Sequence, residues 1–142
     1  MEKERSIGKE FAIGYFHFGK LMDEKLEENN IKIRKGQTRF LVTIYRNEGM
    51  TQKELGGLLR VEKATTTKAV RKLIDMGYVY KNEDEVDRRN YRLYMTDEGK
   101  KVVPLLVEIR KEINNQALKD FSDDEKEMFF KFLDRINNHL VE

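Results

Sequence analysis

The order of signals between residues 51 and 100, TQKELGGLLRVEKATTTKAVRKLIDMGYVYKNEDEVDRRNYRLYMTDEGK, constrains the fold more than any other feature of the chain. Thr51 and Glu54 form a T-x-x-E capping box, in which hydroxyl and carboxylate satisfy otherwise orphan amides, so a short helix is predicted over 51–59. After Arg60 and Val61 a second pattern turns Thr66, Ala69 or Val70, Leu73 and Met76 inward and Thr65, Thr67, Lys68, Arg71 and Lys72 outward. Gly77 closes it. Residues 78–81 and 91–95 are rich in Tyr, Val and Leu around a polar loop, the pattern of a two-stranded hairpin. Two short helices at a tight turn, followed by such a hairpin, predict a mainly α fold with a small β-hairpin wing on a helix-turn-helix.

The flanks are helical and apolar. Over residues 4–29 Ile7, Phe11, Tyr15, Phe18, Met22 and Leu26 keep helical spacing, and Ile13, Phe16 and Leu21 widen the stripe. That is more apolar surface than one neighbouring helix covers. Residues 36–47 place Phe40, Leu41 and Ile44 on one helical face and stop before Gly49, which suits a left-handed C-terminal position. Thr96 precedes Asp97 and Glu98 as an N-cap, and the helix that follows carries Val102, Val103, Leu106, Ile109 and Ile113. Pro104 lies past its first turn, where it removes one backbone bond and is predicted to bend the helix. Ser122 and Glu125 make a second capping box ahead of a last helix with Phe129, Phe132, Leu133, Ile136 and Leu140 on one side.

Composition narrows the possibilities. At 142 residues, 39% apolar and 38% charged, with a mean hydropathy of −0.75, the chain suits one thin helical domain that needs a second subunit to cover its long helices. The absence of cysteine excludes disulfides, thiolate zinc sites, iron–sulfur clusters and cysteine redox sensing. The charged start MEKERSIGKE and the lack of a long apolar run predict a cytoplasmic protein with no membrane contact. Residues 51–96 hold ten Lys or Arg against seven Asp or Glu, whereas the rest of the chain holds 18 against 19. Lys32, Arg34, Lys35 and Arg39 add a further basic stretch without an acid.

This distribution matches the parts a DNA reader needs. A helix in the major groove reads base edges, and phosphates beside it hold the register through amides and cations. The start of the Thr51 helix offers free N–H groups, with Thr51 and Gln52 as side-chain donors to a phosphate. Ala64, Thr65, Thr67 and Lys68 lie in the first turns of the second helix, where Thr and Ala methyls suit a thymine methyl and Lys68 or Arg71 can reach guanine or phosphate. Arg88 and Arg89 in the hairpin loop suit the negative potential of a narrow minor groove. Each element alone is commonly only a solvated helix or a surface ion-pair cluster. Their order and spacing are what point to DNA.

With TQKEL, VEKATTTKAVRKLIDMGYV, DRR and TDEG in this order, the chain resembles the multiple antibiotic resistance regulator (MarR) family of winged-helix transcription factors. The resemblance implies one domain over 1–142. Residues 31–99 would form its winged helix-turn-helix, and 1–30 and 100–142 its dimerisation helices. It implies a homodimer on a pseudo-palindromic operator, a repressor role, and release by a small aromatic acid, with no cofactor. By the same resemblance Asp87 and Arg89 match a D-x-R wing motif, Asp bracing the wing and Arg entering the minor groove. Two departures stand out. Thr66 replaces a commonly buried Val and brings a hydroxyl that needs a partner, and Glu83, Asp84 and Glu85 should repel phosphate unless they brace Lys81, Arg88 or Arg92.

Tyr15, Phe16 and Tyr45 are the candidates for lining an effector pocket, although aromatics at such places are more often core or interface residues. His17 and His139, one in each terminal helix, have no local His/Glu cluster and predict no metal site. No phosphate-binding glycine loop and no serine beside a histidine supports an enzyme. The stronger rival is a winged-helix module for protein contacts with no operator. The Thr, Lys and Arg on the outer face of the second helix argue against that rival.

Overall fold

The computed structural model describes residues 4–141, which form α1 (Ile7–Glu28), α2 (Lys35–Arg46), α3 (Gln52–Leu59), α4 (Lys63–Asp75), β1 (Val79–Glu83), β2 (Tyr91–Met95), α5 (Asp97–Ala117) and α6 (Asp123–Leu140). The fold is the mainly α winged helix predicted from the sequence. The chain divides into two compact units, one ending at Arg110 and the other beginning at Lys111. α5 runs from one to the other, and it continues as an α-helix through Pro104.

In the first unit α2 is the centre, touching α1, α3, α4 and β2. The predicted face of Phe40, Leu41 and Ile44 is buried, and so are Gln37, Thr38 and Val42. A one-sided stripe is therefore too narrow a description, because neighbours on several sides cover this helix. Its start is held by a contact distant in sequence, the Asp23 carboxylate accepting from the Lys35 N–H at 2.7 Å. Around it close Leu26, Ile33, Leu55, Leu73, Val79 and Leu93, each at most 2% exposed.

The caps follow the expected chemistry. Ser6 Oγ accepts from the Lys9 N–H at the start of α1. Ser122 and Glu125 form the full reciprocal box at α6. At α3 only half of the predicted box forms: the Thr51 hydroxyl accepts from the Glu54 N–H at 3.1 Å, and among the described residues the Glu54 carboxylate makes no return bond to the Thr51 backbone, which instead bridges to Arg92 of the hairpin. Gly49 and Gly77 take the positive φ values of +93° and +79° expected at helix ends.

The strands pair antiparallel from Val79↔Met95 to Glu83↔Tyr91, so β1 reaches two residues further than predicted. Thr96 then ties three elements together. Its hydroxyl donates to the Gly77 carbonyl at 2.6 Å and accepts from the Gly99 N–H at 3.0 Å, capping α5 beside the end of α4. Gly99 has no room for a side chain, since a Cβ there would run into the Tyr78 carbonyl and Met95 Cε.

The terminal helices differ from this core. In α1 only Gly19, Met22 and Leu26 are buried, and Ile7, Phe11, Ile13, Tyr15 and Phe16 remain exposed. α6, in the second unit, buries no residue. Among the described residues no helix is long and apolar enough to cross a membrane.

Candidate nucleic-acid interface

α3 and α4 meet through small and polar side chains. Gly56 lets them approach, for a Cβ there would lie 3.0 Å from Thr66 Oγ1. Thr66 is buried, and its hydroxyl finds the partner that the sequence left open by donating to the Glu62 carbonyl at 3.0 Å. The turn between the helices passes through Arg60 in a left-handed conformation, φ 55°, with the Val61 N–H donating to the Gly56 carbonyl.

This crossing turns one face of α4 outward. Ala64, Thr65, Lys68 and Arg71 are exposed, Thr67 is half-buried, and Lys63, Ala64, Thr67, Lys68, Arg71 and Lys72 border one shallow concavity with Asp75. Beside it Gln52, the first residue of α3, donates through Nε2 to Thr67 Oγ1 at 2.7 Å. The amide of Gln52 is thus spent partly on α4 rather than left wholly free for a phosphate. Thr51, half-buried, keeps its hydroxyl proton uncommitted among the described residues.

The hairpin loop has two acids with distinct duties. Asp87 accepts from the Arg89 N–H at 3.1 Å and pairs with the Arg89 guanidinium at 3.2 Å, although that side chain remains 91% exposed. Asp84 pairs with Arg92 at 3.0 Å and accepts from the Val86 N–H at 3.0 Å. The Val86 amide, helped by Arg92, holds the Asp84 carboxyl below its ordinary pKa against a contrary push from burial. Arg92 donates with its other arm to the Gly49 carbonyl at 2.7 Å. Of the possible braces for the acidic loop, Arg92 is the one that Asp84 uses. Among the described residues Glu83 and Glu85 have no ion-pair partner, and Arg88 stands exposed.

Apart from Thr51, the sequence did not single out the strip 48–51 as part of this region. The Glu48 carboxylate accepts from the Met95 N–H at 2.7 Å, and Gly49 N–H and Met50 C=O exchange bonds with Leu93 at 2.9 and 2.8 Å. Outside the two-stranded sheet, the strip joins the entry of α3 to the hairpin through these bonds and the isolated Thr51–Arg92 bridge. No local signal marks this role, because the strip's partners in the hairpin all lie more than 40 residues away along the chain.

The residues proposed for an effector lie elsewhere in this unit. Tyr15, Phe16 and Tyr45 are 66%, 60% and 44% exposed, so each stands open to solvent among the described residues. His17 rests edge-on against Phe16, His139 is exposed on α6, and among the described residues no His/Cys/Asp/Glu group can hold a metal.

Comparison with known proteins agrees with the fold and the order of parts. The MarR family model matches residues 33–91. An uncharacterised HTH-type transcriptional regulator of Bacillus subtilis, YybA, is 32% identical over 115 residues, 81% of this chain and 77% of its own. The solved MarR protein from Peptoclostridium difficile superposes with a TM-score of 0.89 at 35% identity, covering 99% of this chain and 91% of that one. A MarR-family regulator from Listeria monocytogenes, solved with 26mer DNA, shares the fold with a TM-score of 0.85 at 24% identity, over 96% of this chain and 90% of its own.

Proposed function

The chain belongs to the MarR family of HTH-type transcriptional regulators, and on that premise we propose that it is an operator-binding repressor, acting in the cytoplasm as a homodimer. The observation that carries this is the outward face of α4. Thr65, Lys68 and Arg71 are exposed on it beside a loop bearing exposed Arg88 and Arg89. A protein-docking face would present apolar anchors there instead.

In this reading residues 31–99 are the DNA-binding region of one domain, and residues 1–30 and 100–142 are its dimerisation region. Ala64, Thr65, Thr67, Lys68 and Arg71 face the major groove. Thr51 and Gln52 lie at a phosphate, where the N-terminus of α3 favours an anion. Arg88 and Arg89 enter the minor groove with Asp87 bracing the loop. The pairing of two copies rests on the exposed apolar residues of α1 and α6, each of which needs a cover. The two half-sites would then lie about 10 bp apart.

Release by a small aromatic acid completes the proposal. Tyr45 precedes Arg46, and the half-buried Arg110 has its pKa lowered first by burial and then by the charge of Arg46. Among the described residues neither arginine has a carboxylate partner, which favours an anionic effector beside Tyr45, with Tyr15 and Phe16 supplying further aromatic surface.

Selection of bound fragments from genomic DNA, with and without aromatic acids, tests the whole. The expected result is a two-fold symmetric motif whose recovery falls in the presence of an acid and falls steeply with salt. Arg89→Ala is expected to weaken binding by about 1–3 kcal/mol in gel shifts. Recovery of no motif would leave the protein-interaction module as the better description.

A further inference from the structure

Three consecutive threonines lie in the first turns of α4, and their hydroxyls are in three different states. Thr66 is 2% exposed and its hydroxyl is committed to the Glu62 carbonyl. Thr67 donates its only proton to the Lys63 carbonyl at 2.8 Å and accepts from Gln52 Nε2 at 2.7 Å. The two bonds are mutually consistent: with its proton already given to Lys63, Thr67 needs a donor from Gln52, and the amide nitrogen supplies one. Thr65 is exposed, and among the described residues no hydrogen bond occupies its hydroxyl.

We propose that base recognition is divided between Thr65 and Thr67 by chemistry. Thr65 reads a base edge through its hydroxyl, and Thr67, its hydroxyl anchored by Gln52 and Lys63, reads a thymine through its methyl. This rests on the DNA-binding role proposed above. The physical reason is the count of hydrogen-bonding positions. A hydroxyl has one proton and two lone pairs, so Thr67 can donate to no base and has one lone pair left, while its methyl has no other duty. Thr65 keeps its proton and both lone pairs, and can either donate to or accept from an exocyclic group in the major groove. Gln52 thereby becomes a positioning residue that fixes the Thr67 rotamer from a second helix. Gly56 is what allows the second helix close enough to do so.

The test uses the full chain and a randomised double-stranded library. The wild-type protein selects its half-site, and Thr65→Val, Thr65→Ser, Thr67→Val and Thr67→Ser are then compared on it and on single-base variants. Valine keeps the branched shape and deletes the hydroxyl, whereas serine keeps the hydroxyl and deletes the methyl. The expected result is a reversed order at the two positions. At 65 valine loses about three- to ten-fold more discrimination than serine, the range of one net hydrogen bond. At 67 serine loses more than valine, and the loss falls at a thymine. Deoxyuridine in place of that thymine removes only the C5 methyl, and it is expected to weaken wild-type binding by a few-fold and Thr67→Ser by less.

The same order at both positions, or a uridine effect equal in wild type and Thr67→Ser, overturns the division while leaving DNA binding intact. A wild-type protein that selects no motif removes the DNA-binding role, and this inference with it. The two failures are therefore distinguishable in one experiment.

Discussion

α2 and α6 are both amphipathic helices, yet they end in opposite environments. α2 buries Phe40, Leu41, Val42 and Ile44 to 2% exposure or less, whereas α6 leaves Met128, Phe129, Phe130, Phe132 and Leu140 between 40% and 71% exposed. The contrast separates what one chain completes by itself from what it leaves open. Around α2 these four apolar side chains are covered by elements of their own chain. On α6 the rings stay open to solvent, Phe129 lying edge-on between Phe130 and Phe121 just before the helix, and Phe132 lying under the Arg135 guanidinium.

The largest break in that comparison comes from removing volume at the finished end. Leu73→Ala, at a fully buried position of α4, is expected to cost about 2–5 kcal/mol, measured as a lower denaturant midpoint at constant slope. A loss under about 1 kcal/mol would mean that the core is looser than its burial implies. Gly99→Ala approaches the same region from the opposite side by adding a methyl against the Tyr78 carbonyl, with an expected cost of about 1–3 kcal/mol. An unchanged melting temperature would contradict the tight seat of α5 on the hairpin.

At the unfinished end the expected effect is on association. Phe132→Ser on α6 is predicted to weaken the proposed dimer tenfold or more, each decade being about 1.4 kcal/mol, as read by sedimentation across concentrations. Unaltered self-association would remove α6 from the dimer surface. The smallest effect is a pH response of the hairpin loop. The folded pKa of Asp84 is depressed, mainly by the Val86 amide, so its contribution is present above the unfolded value of about 3.9. It is lost as pH falls through the lower folded value. NMR of the Val86 amide from about pH 6 down to about pH 1 checks this, and a resonance that does not move would show the pairing to be idle.

What the sequence made legible was local. Capping threonines and serines, glycine stops and apolar spacing are each decided within one turn of chain, so the elements and the outward Thr65, Lys68, Arg71 and Lys72 could be placed in advance. Thr67 was read as another outward hydroxyl. Its actual state depends on where α3 crosses α4, which no pattern within either helix encodes. The same limit hid the bonds of Glu48 to Met95 and of Gly49 to Arg92, which join residues 47 and 43 apart. It also made α2 look one-sided, because the neighbours that cover Gln37 and Val42 come from separate parts of the chain. The acidic loop was legible as a problem, and only the folded hairpin shows that Asp84 faces Arg92 while Glu83 and Glu85 face solvent.

The bonds between the 48–51 strip and β2 also govern how the region assembles. They close a circuit of chain that contains α3, α4 and β1 entirely, with its two ends held by Glu48–Met95 and Gly49–Arg92. Closing a circuit of that length costs entropy before any of its contacts repay it, and the cost rises only slowly with length. The helices inside are short, and eight or thirteen residues are marginal as isolated helices in water. Their persistence is thus tied to the closure, so both helices and the hairpin are expected to fold and to melt as a single cooperative unit.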